Sequence, residues 1–243
     1  MPASGSLTPG AGSGVGPLTP EALSAVFDGP SPALARALLG CRLTVVAPDG
    51  AVTVRLTETE AYGDAGVDPG AHSFRGRTER NAALFGPVRR TYVYLNYGIH
   101  RCLNLVGHPE GQAGGVLLRA AEVLDGRELA VARRGRDTDS RLLSGPGNLG
   151  QGLGITLDMG HAPVEIVAAP PALTEAALPD EAVARFLLAP PASPDPGEPP
   201  IEVVTGPRVG VSGEGGSVRF PWRFSVAGHR SVSAFRRGRN VPD

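Results

Sequence analysis

The chain has 243 residues, 41% hydrophobic and 19% charged, with 34 Gly, 24 Pro and a formal net charge of −1. So much Gly and Pro argues against a helical bundle or coiled coil and favours short elements joined by turns. No run approaches the roughly 18 apolar residues of a membrane-spanning helix, and the start, MPASGSLTPGAGSGVG, lacks the basic and apolar regions of a secretory signal, so a soluble cytoplasmic protein is expected.

Residues 1–17, small, polar and rich in Gly, are expected to be a disordered tail ahead of one domain over 18–243. Thr19-Pro20 opens a helix. Ser31-Pro32 reads as an N-cap with Pro at the first helical position, and Leu34, Leu38 and Leu39 form an apolar stripe ending at Gly40. Residues 42–47, a turn at Pro48-Asp49-Gly50 and a strand over 51–62 read as a hairpin. A Gly/Arg-rich loop over 63–90 leads to strands at 91–97, 101–106 and 115–121, then a helix over 125–134. Ser144-Gly-Pro-Gly-Asn148 reads as a turn before a short helix beginning near Leu149. Strands follow at 163–168 and 201–209, and 220–235 reads as a last hairpin before an Arg-rich ending. Between them, the proline-dense 190–200 is expected as a surface insertion, because it cannot sit inside a sheet. The fold class is α+β: a single domain with a curved antiparallel β core and flanking helices.

Cys41 and Cys102 make no disulfide framework, and no Cys/His cluster has zinc spacing, so no metal and no cofactor are expected. All 23 basic residues are Arg; there is no lysine. That excludes a P-loop and any lysine Schiff-base mechanism. The charge is segregated, at −4 over 1–71, +5 over 72–156, −7 over 157–205 and +5 over 206–243. Two basic blocks can fold into one positive face suited to a polyanion such as nucleic acid; an evenly mixed surface is the plainer alternative.

In the strand over 51–62, period-two alternation puts Val52, Val54, Leu56, Glu58, Glu60 and Tyr62 on one face. A face that begins as core thus runs into two carboxylates and a tyrosine. Each carboxylate either meets an Arg from a neighbouring strand or serves as a general base at a pocket rim. Their i, i+2 spacing also permits a paired-carboxylate glycosidase on free nucleosides or sugars, and a catalytically silent nucleic-acid-binding module stays open. Three of the four tyrosines, Tyr92, Tyr94 and Tyr97, fall in TYVYLNYGIHRCLN, with Tyr97 before Gly98 at an expected hairpin tip. Aromatics among arginines suit base stacking, although strands favour tyrosine anyway.

ETEAY (58–62), AHSFRGRTERN (71–81), YVYLNYG (92–98), CLN (102–104), VLLRAAE (116–122), LLSGPGNLGQ (142–151), PRVGVSG (207–213) and WRFSV (222–226) occur in order. This set resembles the alkyladenine (3-methyladenine) DNA glycosylase family over roughly residues 20–235. The resemblance implies an antiparallel core presenting a protruding β-hairpin to the minor groove of double-stranded DNA that holds damaged purines. By position, Glu60 matches the carboxylate that activates water and Arg119 the residue that helps hold that water. Tyr62, His72 and Tyr94 match the walls of the base pocket, and Asn104 the residue that excludes the guanine 2-amino group. Tyr97, with Ile99 beside it, matches the wedge that fills the gap left by the flipped nucleotide. Arg75, Arg77, Arg80 and Arg90 are the candidates for backbone contact. Asn96 and His100 depart from the family's usual apolar and aromatic residues beside the wedge. Glu60 is expected at the floor of a tyrosine-walled cavity, in an enzyme that acts as a monomer and, lacking lysine, leaves an abasic site uncut.

Overall fold

The computed structural model describes residues 18–192 and 200–242. The expected tail at 1–17 and most of the insertion at 190–200 lie outside the described residues. Two short helices come first. Helix α1 (Pro20–Val26) is capped by Thr19, whose side chain accepts from the Ala22 amide at 3.2 Å. Helix α2 (Ser31–Ala37) starts one residue sooner than its Ser-Pro signal suggests, with Pro30 in the N-cap place. Ser31 does not cap; its hydroxyl donates instead to the Tyr62 carbonyl at 2.9 Å, tying the helix to the end of a long strand.

The strands β1 (Arg42–Ala47) and β2 (Gly50–Tyr62) form the expected hairpin. They are followed by β3 (Arg90–Asn96), β4 (His100–Val106) and β5 (Gly115–Asp125). Next come α3 (Arg127–Arg134), β6 (Leu143–Ser144) and α4 (Pro146–Gly152). Helix α4 begins at Pro146 rather than near Leu149, because proline's fixed φ suits a first helical position. The remaining strands are β7 (Val164–Ile166), β8 (Arg185–Ala189), β9 (Val203–Gly206) and β10 (Arg223–Val226). Strand β8 has no counterpart in the sequence reading. The hairpin expected over 220–235 is a single strand, β10, paired with β2 and β9. Beyond β10 the chain bonds to side chains of β2 instead of forming a ladder.

The sheet runs β3-β4-β5-β2-β1-β8-β7, with β10 and β9 branching from β2 and β6 from β5. Every pairing of named strands is antiparallel except β7 with β8. This is a mixed α+β single domain around a strongly curled half-barrel sheet. The curl has a local cause in β2. Its first half pairs with β1 and its second half, Glu58–Glu60, with β10. Where the partner changes, the register against β5 slips between Leu56 and Glu58 and again between Glu58 and Thr59. Such bulges bend a strand and increase its twist.

The core lies between the sheet and its helices: Phe27, Leu34 and Leu38 pack with Leu43, Val52, Leu56, Leu103, Leu118 and Phe186. Both cysteines are free and buried, and burial pushes the Cys41 thiol up to about 12. Among the described residues no helix is long and apolar enough to cross a membrane.

Candidate active site

The bulges in β2 decide which way its carboxylates point. Before them, Val52, Val54 and Leu56 pack in the core; after them Ala61 takes the core place, and Thr59 donates to the Ala35 carbonyl of α2 at 2.8 Å. Glu58, Glu60 and Tyr62 therefore do not continue the core face, as simple alternation suggests. They form the opposite face and meet Arg119 of β5.

Arg119 joins the two carboxylates. Its Nε donates to Glu58 Oε1 at 3.1 Å and its Nη1 to Glu60 Oε2 at 3.2 Å. Burial alone would lower the guanidinium pKa, but the two carboxylates outweigh it, so the cation is held firmly. Glu58 also accepts from Arg223 Nε at 2.7 Å, the Ser233 hydroxyl at 2.9 Å and, on Oε2, the Ser233 amide at 2.8 Å. Burial would raise its pKa; Arg119, Arg223 and Ser233 together hold it below the ordinary value.

Glu60 has different company. Its Oε2 accepts from the Tyr62 hydroxyl at 3.0 Å as well as from Arg119, and its Oε1 from the Val209 amide at 2.6 Å. A carboxylate offers about four lone-pair sites. Glu58 takes three donors on Oε1 and one on Oε2, and Glu60 two on Oε2 and one on Oε1, so each has one oxygen with a single donor. The two differ in that every partner of Glu60, namely Tyr62, Arg119 and Val209, lines a cavity, whereas Glu58 is clamped between two arginines. Burial and the neighbouring Glu60 charge raise the Tyr62 pKa well above its usual value, so the phenol stays a donor.

A cavity of about 810 Å³ lies against this cluster, lined by Tyr62, His72, Tyr92, Tyr94, Asn104 and Arg119 among others. Its size falls in the range of roughly 300–1,000 Å³ usual for small-molecule sites. Glu60 is 0% exposed and is not part of the lining. The expected floor carboxylate thus sits one layer behind the wall, covered by Tyr62 and Arg119. Tyr92 and Tyr94 stack with centroids 5.7 Å apart, and His72 meets Tyr94 edge-on at 4.6 Å. His72 Nδ1 lies 2.9 Å from the Tyr92 hydroxyl, and burial, with Arg80 nearby, lowers its pKa, favouring a neutral ring. Asn104 donates from Nδ2 to the carbonyls of Tyr92 and Cys102, at 3.0 and 3.4 Å, which fixes its amide.

Tyr97 and Ile99 stand at the tip of the β3–β4 hairpin, 87% and 69% exposed. Asn96 and His100 pair across the hairpin, and the Ile99 amide closes the turn onto the Asn96 carbonyl at 3.1 Å. Tyr97 and Gly98 both have positive φ, 49° and 71°, the pattern of a type I′ turn. Gly suits its position; Tyr does not, and a strained aromatic held in water suggests a use.

Arg75, Arg77 and Arg80 are exposed on the 63–90 loop. Buried Asn81 closes that loop, donating to the His72 and Gly76 carbonyls at 2.8 and 3.0 Å. Arg90 is not brought to the site: it begins β3, at the end away from the hairpin tip, and donates to the His161 carbonyl at 3.2 Å. His108 is buried, its ring nitrogens meeting the Pro109 and Gly86 carbonyls. Sequence reasoning missed Tyr92 as a cavity wall, Ser233 and Arg223 as partners of Glu58, and Val209 as a partner of Glu60. It also missed Arg208, which is fully buried in a two-pronged pair with Asp68 at 2.6 Å and lies 4.6 Å over the Tyr62 ring. That pair anchors the backbone one residue before the Val209 amide. The PRVG stretch marks both residues, but nothing local reveals their partners.

A carboxylate behind the cavity wall, a guanidinium beside it and an aromatic slot near an exposed aromatic turn fit a DNA glycosylase, a hydrolase of N-glycosyl bonds. The comparisons agree. The model of the Methylpurine-DNA glycosylase family matches residues 25–230. A relative from Nocardia farcinica, named "Putative 3-methyladenine DNA glycosylase", is 44% identical over 216 residues, covering 87% of this chain and 90% of the relative. Relatives of the same name are 43% identical in Corynebacterium efficiens (213 residues, 88% and 95%) and 40% in Nitrosospira multiformis (207 residues, 85% and 91%). The chain belongs to the methylpurine-DNA glycosylase family, whose work is DNA repair by excision of alkylated purines.

Proposed function

We propose that the protein flips damaged purines (3-methyladenine, 7-methylguanine, hypoxanthine and ethenoadenine) out of duplex DNA and hydrolyses their N-glycosidic bond. Glu60 is the general base. The observation that carries this reading is the different setting of the two carboxylates: every partner of Glu60, namely Tyr62, Arg119 and Val209, lines the cavity, whereas Glu58 is clamped between Arg119 and Arg223. A water that reaches Glu60 between the wall residues would lie beside Arg119 and Val209, both in the cavity wall. It gives its proton to Glu60 as its oxygen bonds to C1′; the C1′–N bond breaks and its electron pair leaves with the base. The product is an abasic site, and without lysine no side chain can form a Schiff base to cut the strand.

Tyr62, His72 and Tyr94 enclose the extruded base. Aromatic walls favour an electron-poor or cationic purine by about 0.5–2 kcal/mol, so the weakened glycosidic bond must supply the rest of the selectivity. Asn104, locked by its backbone bonds, occupies the space that the guanine 2-amino group would need. Tyr97 and Ile99 enter the minor groove and fill the gap. Arg75, Arg77 and Arg80, with Arg236 from the cavity lining, take phosphates. One copy of the chain carries all these groups, so the enzyme acts as a monomer, in the cytoplasm at the nucleoid. A paired-carboxylate glycosidase would need Glu58 as a protonated acid, whereas its two arginines favour the ionised form.

The test is incubation with duplex DNA holding one hypoxanthine or one ethenoadenine, followed by scoring of alkali-labile sites. Abasic sites that are intact until alkali treatment are expected. If neither lesion nor methylated DNA yields them, the reading is wrong.

A further inference from the structure

Residues 231–241 follow the last strand and lie beyond the residues matched to the family, yet they pack tightly over the site. Ser231 Oγ lies 2.6 Å from Thr57 Oγ1, and Arg223 donates to the Ser233 carbonyl at 2.7 Å. The Gly210 and Gly213 amides donate to the Arg236 and Arg239 carbonyls at 2.7 and 2.9 Å. A Cβ at Gly238 would collide with the Val211 carbonyl, so this strap can lie where it does only with glycine there. Its inner face reaches the reaction machinery: Ser233, Ala234 and Arg236 line the cavity.

The Ser233 hydroxyl does two things at once. It accepts from Arg119 Nη2 at 3.1 Å and donates to Glu58 Oε1 at 2.9 Å. Arg119 is therefore held on three sides, by Glu58 through Nε, by Ser233 through Nη2 and by Glu60 through Nη1. A guanidinium is a rigid planar fork, so fixing two of its nitrogens sets where the third points. We propose that the strap over residues 231–241 is a working wall of the active site, in which Ser233 is a positioning residue that aims Arg119 at Glu60 and at the attacking water. This rests on Glu60 being the base. Ser233 acts on the reaction through Arg119, which it holds by Nη2.

The test compares wild type with Ser233→Ala, Ser233→Thr and Gly238→Ala, all in the full chain. Single-turnover excision at saturating enzyme and affinity for a lesion duplex are measured separately. Ser233→Ala should slow excision about tenfold, as expected when hydrogen bonds to charged groups are lost, with duplex affinity unchanged within about twofold. Ser233→Thr keeps the hydroxyl and should restore most of the rate. Gly238→Ala lifts the strap without touching Ser233 and should slow excision in the same direction. A Ser233→Ala rate equal to wild type overturns the positioning role while leaving Glu60 as the base. A Ser233→Thr rate as low as that of Ser233→Ala also overturns it, since packing rather than the hydroxyl would then matter. Wild type without excision overturns both readings.

Discussion

The turn at the hairpin tip separates stability from function. Tyr97 holds φ at 49° in a turn whose two central residues both need positive φ, a conformation costing about 1 kcal/mol or more for a residue other than Gly, Asn or Asp. Its ring is 87% exposed, so its removal forfeits almost no burial. Tyr97→Asn keeps the turn and relieves the strain, and should raise stability by about 0.5–1 kcal/mol. In a domain of this size that lifts Tm by about 1–4 °C. The same change removes the group proposed to replace the flipped nucleotide. One lost stacking contact of about 1–3 kcal/mol weakens lesion-duplex binding roughly 5- to 150-fold. Thermal unfolding of the free protein and titration of two duplexes, one with a paired lesion and one with a pre-formed abasic gap, measure both effects. Binding should fall further on the paired duplex, where the stack must be opened. A lower Tm would refute the strain argument, and equal losses on the two duplexes would refute the wedge.

Three other expectations concern the charged groups. Glu60→Gln should cut excision by about 10²–10⁴ while lesion binding persists; single-turnover assays that find wild-type rates would remove Glu60 from the chemistry. Glu58 is held below its ordinary 4.5 in the folded chain, so the unfolded chain takes up that proton first as pH falls. Its stabilisation is present at neutral pH and is lost as pH drops below 4.5 through the folded value. Urea unfolding across acid pH should show a shallower decline in Glu58→Gln, and parallel curves would count against this pairing. Replacing Arg75, Arg77 and Arg80 together by Ala should lower the salt slope of DNA binding by about 2–3 if each neutralises one phosphate. An unchanged slope would place the DNA elsewhere.

Much of the site was legible because its parts are local. Thr19-Pro20 signals a helix start, Pro48-Asp49-Gly50 a hairpin, and Tyr97-Gly98 a tight turn, since each acts through the backbone beside it. Tyr94 and Asn104 were assigned to the pocket by the family resemblance, and both line the cavity from β3 and β4. Alternation failed in β2, where the partner changes from β1 to β10 and the resulting bulges reverse the faces between Leu56 and Thr59. The last hairpin failed for a related reason. Polar groups after β10 found carboxylates on β2 to bond, a competition that propensities within 220–235 do not contain.

Chain order alone, then, determined the antiparallel α+β architecture, the aromatic hairpin and the pair of carboxylates at positions 58 and 60. Which carboxylate stands directly behind the cavity wall was decided only in three dimensions. The donors that hold Glu58 come from Arg119, Arg223 and Ser233, and the amide that steadies Glu60 comes from Val209, 149 residues away. A carboxylate's setting depends on which donors the fold points at it, and those donors approach through contacts between distant segments.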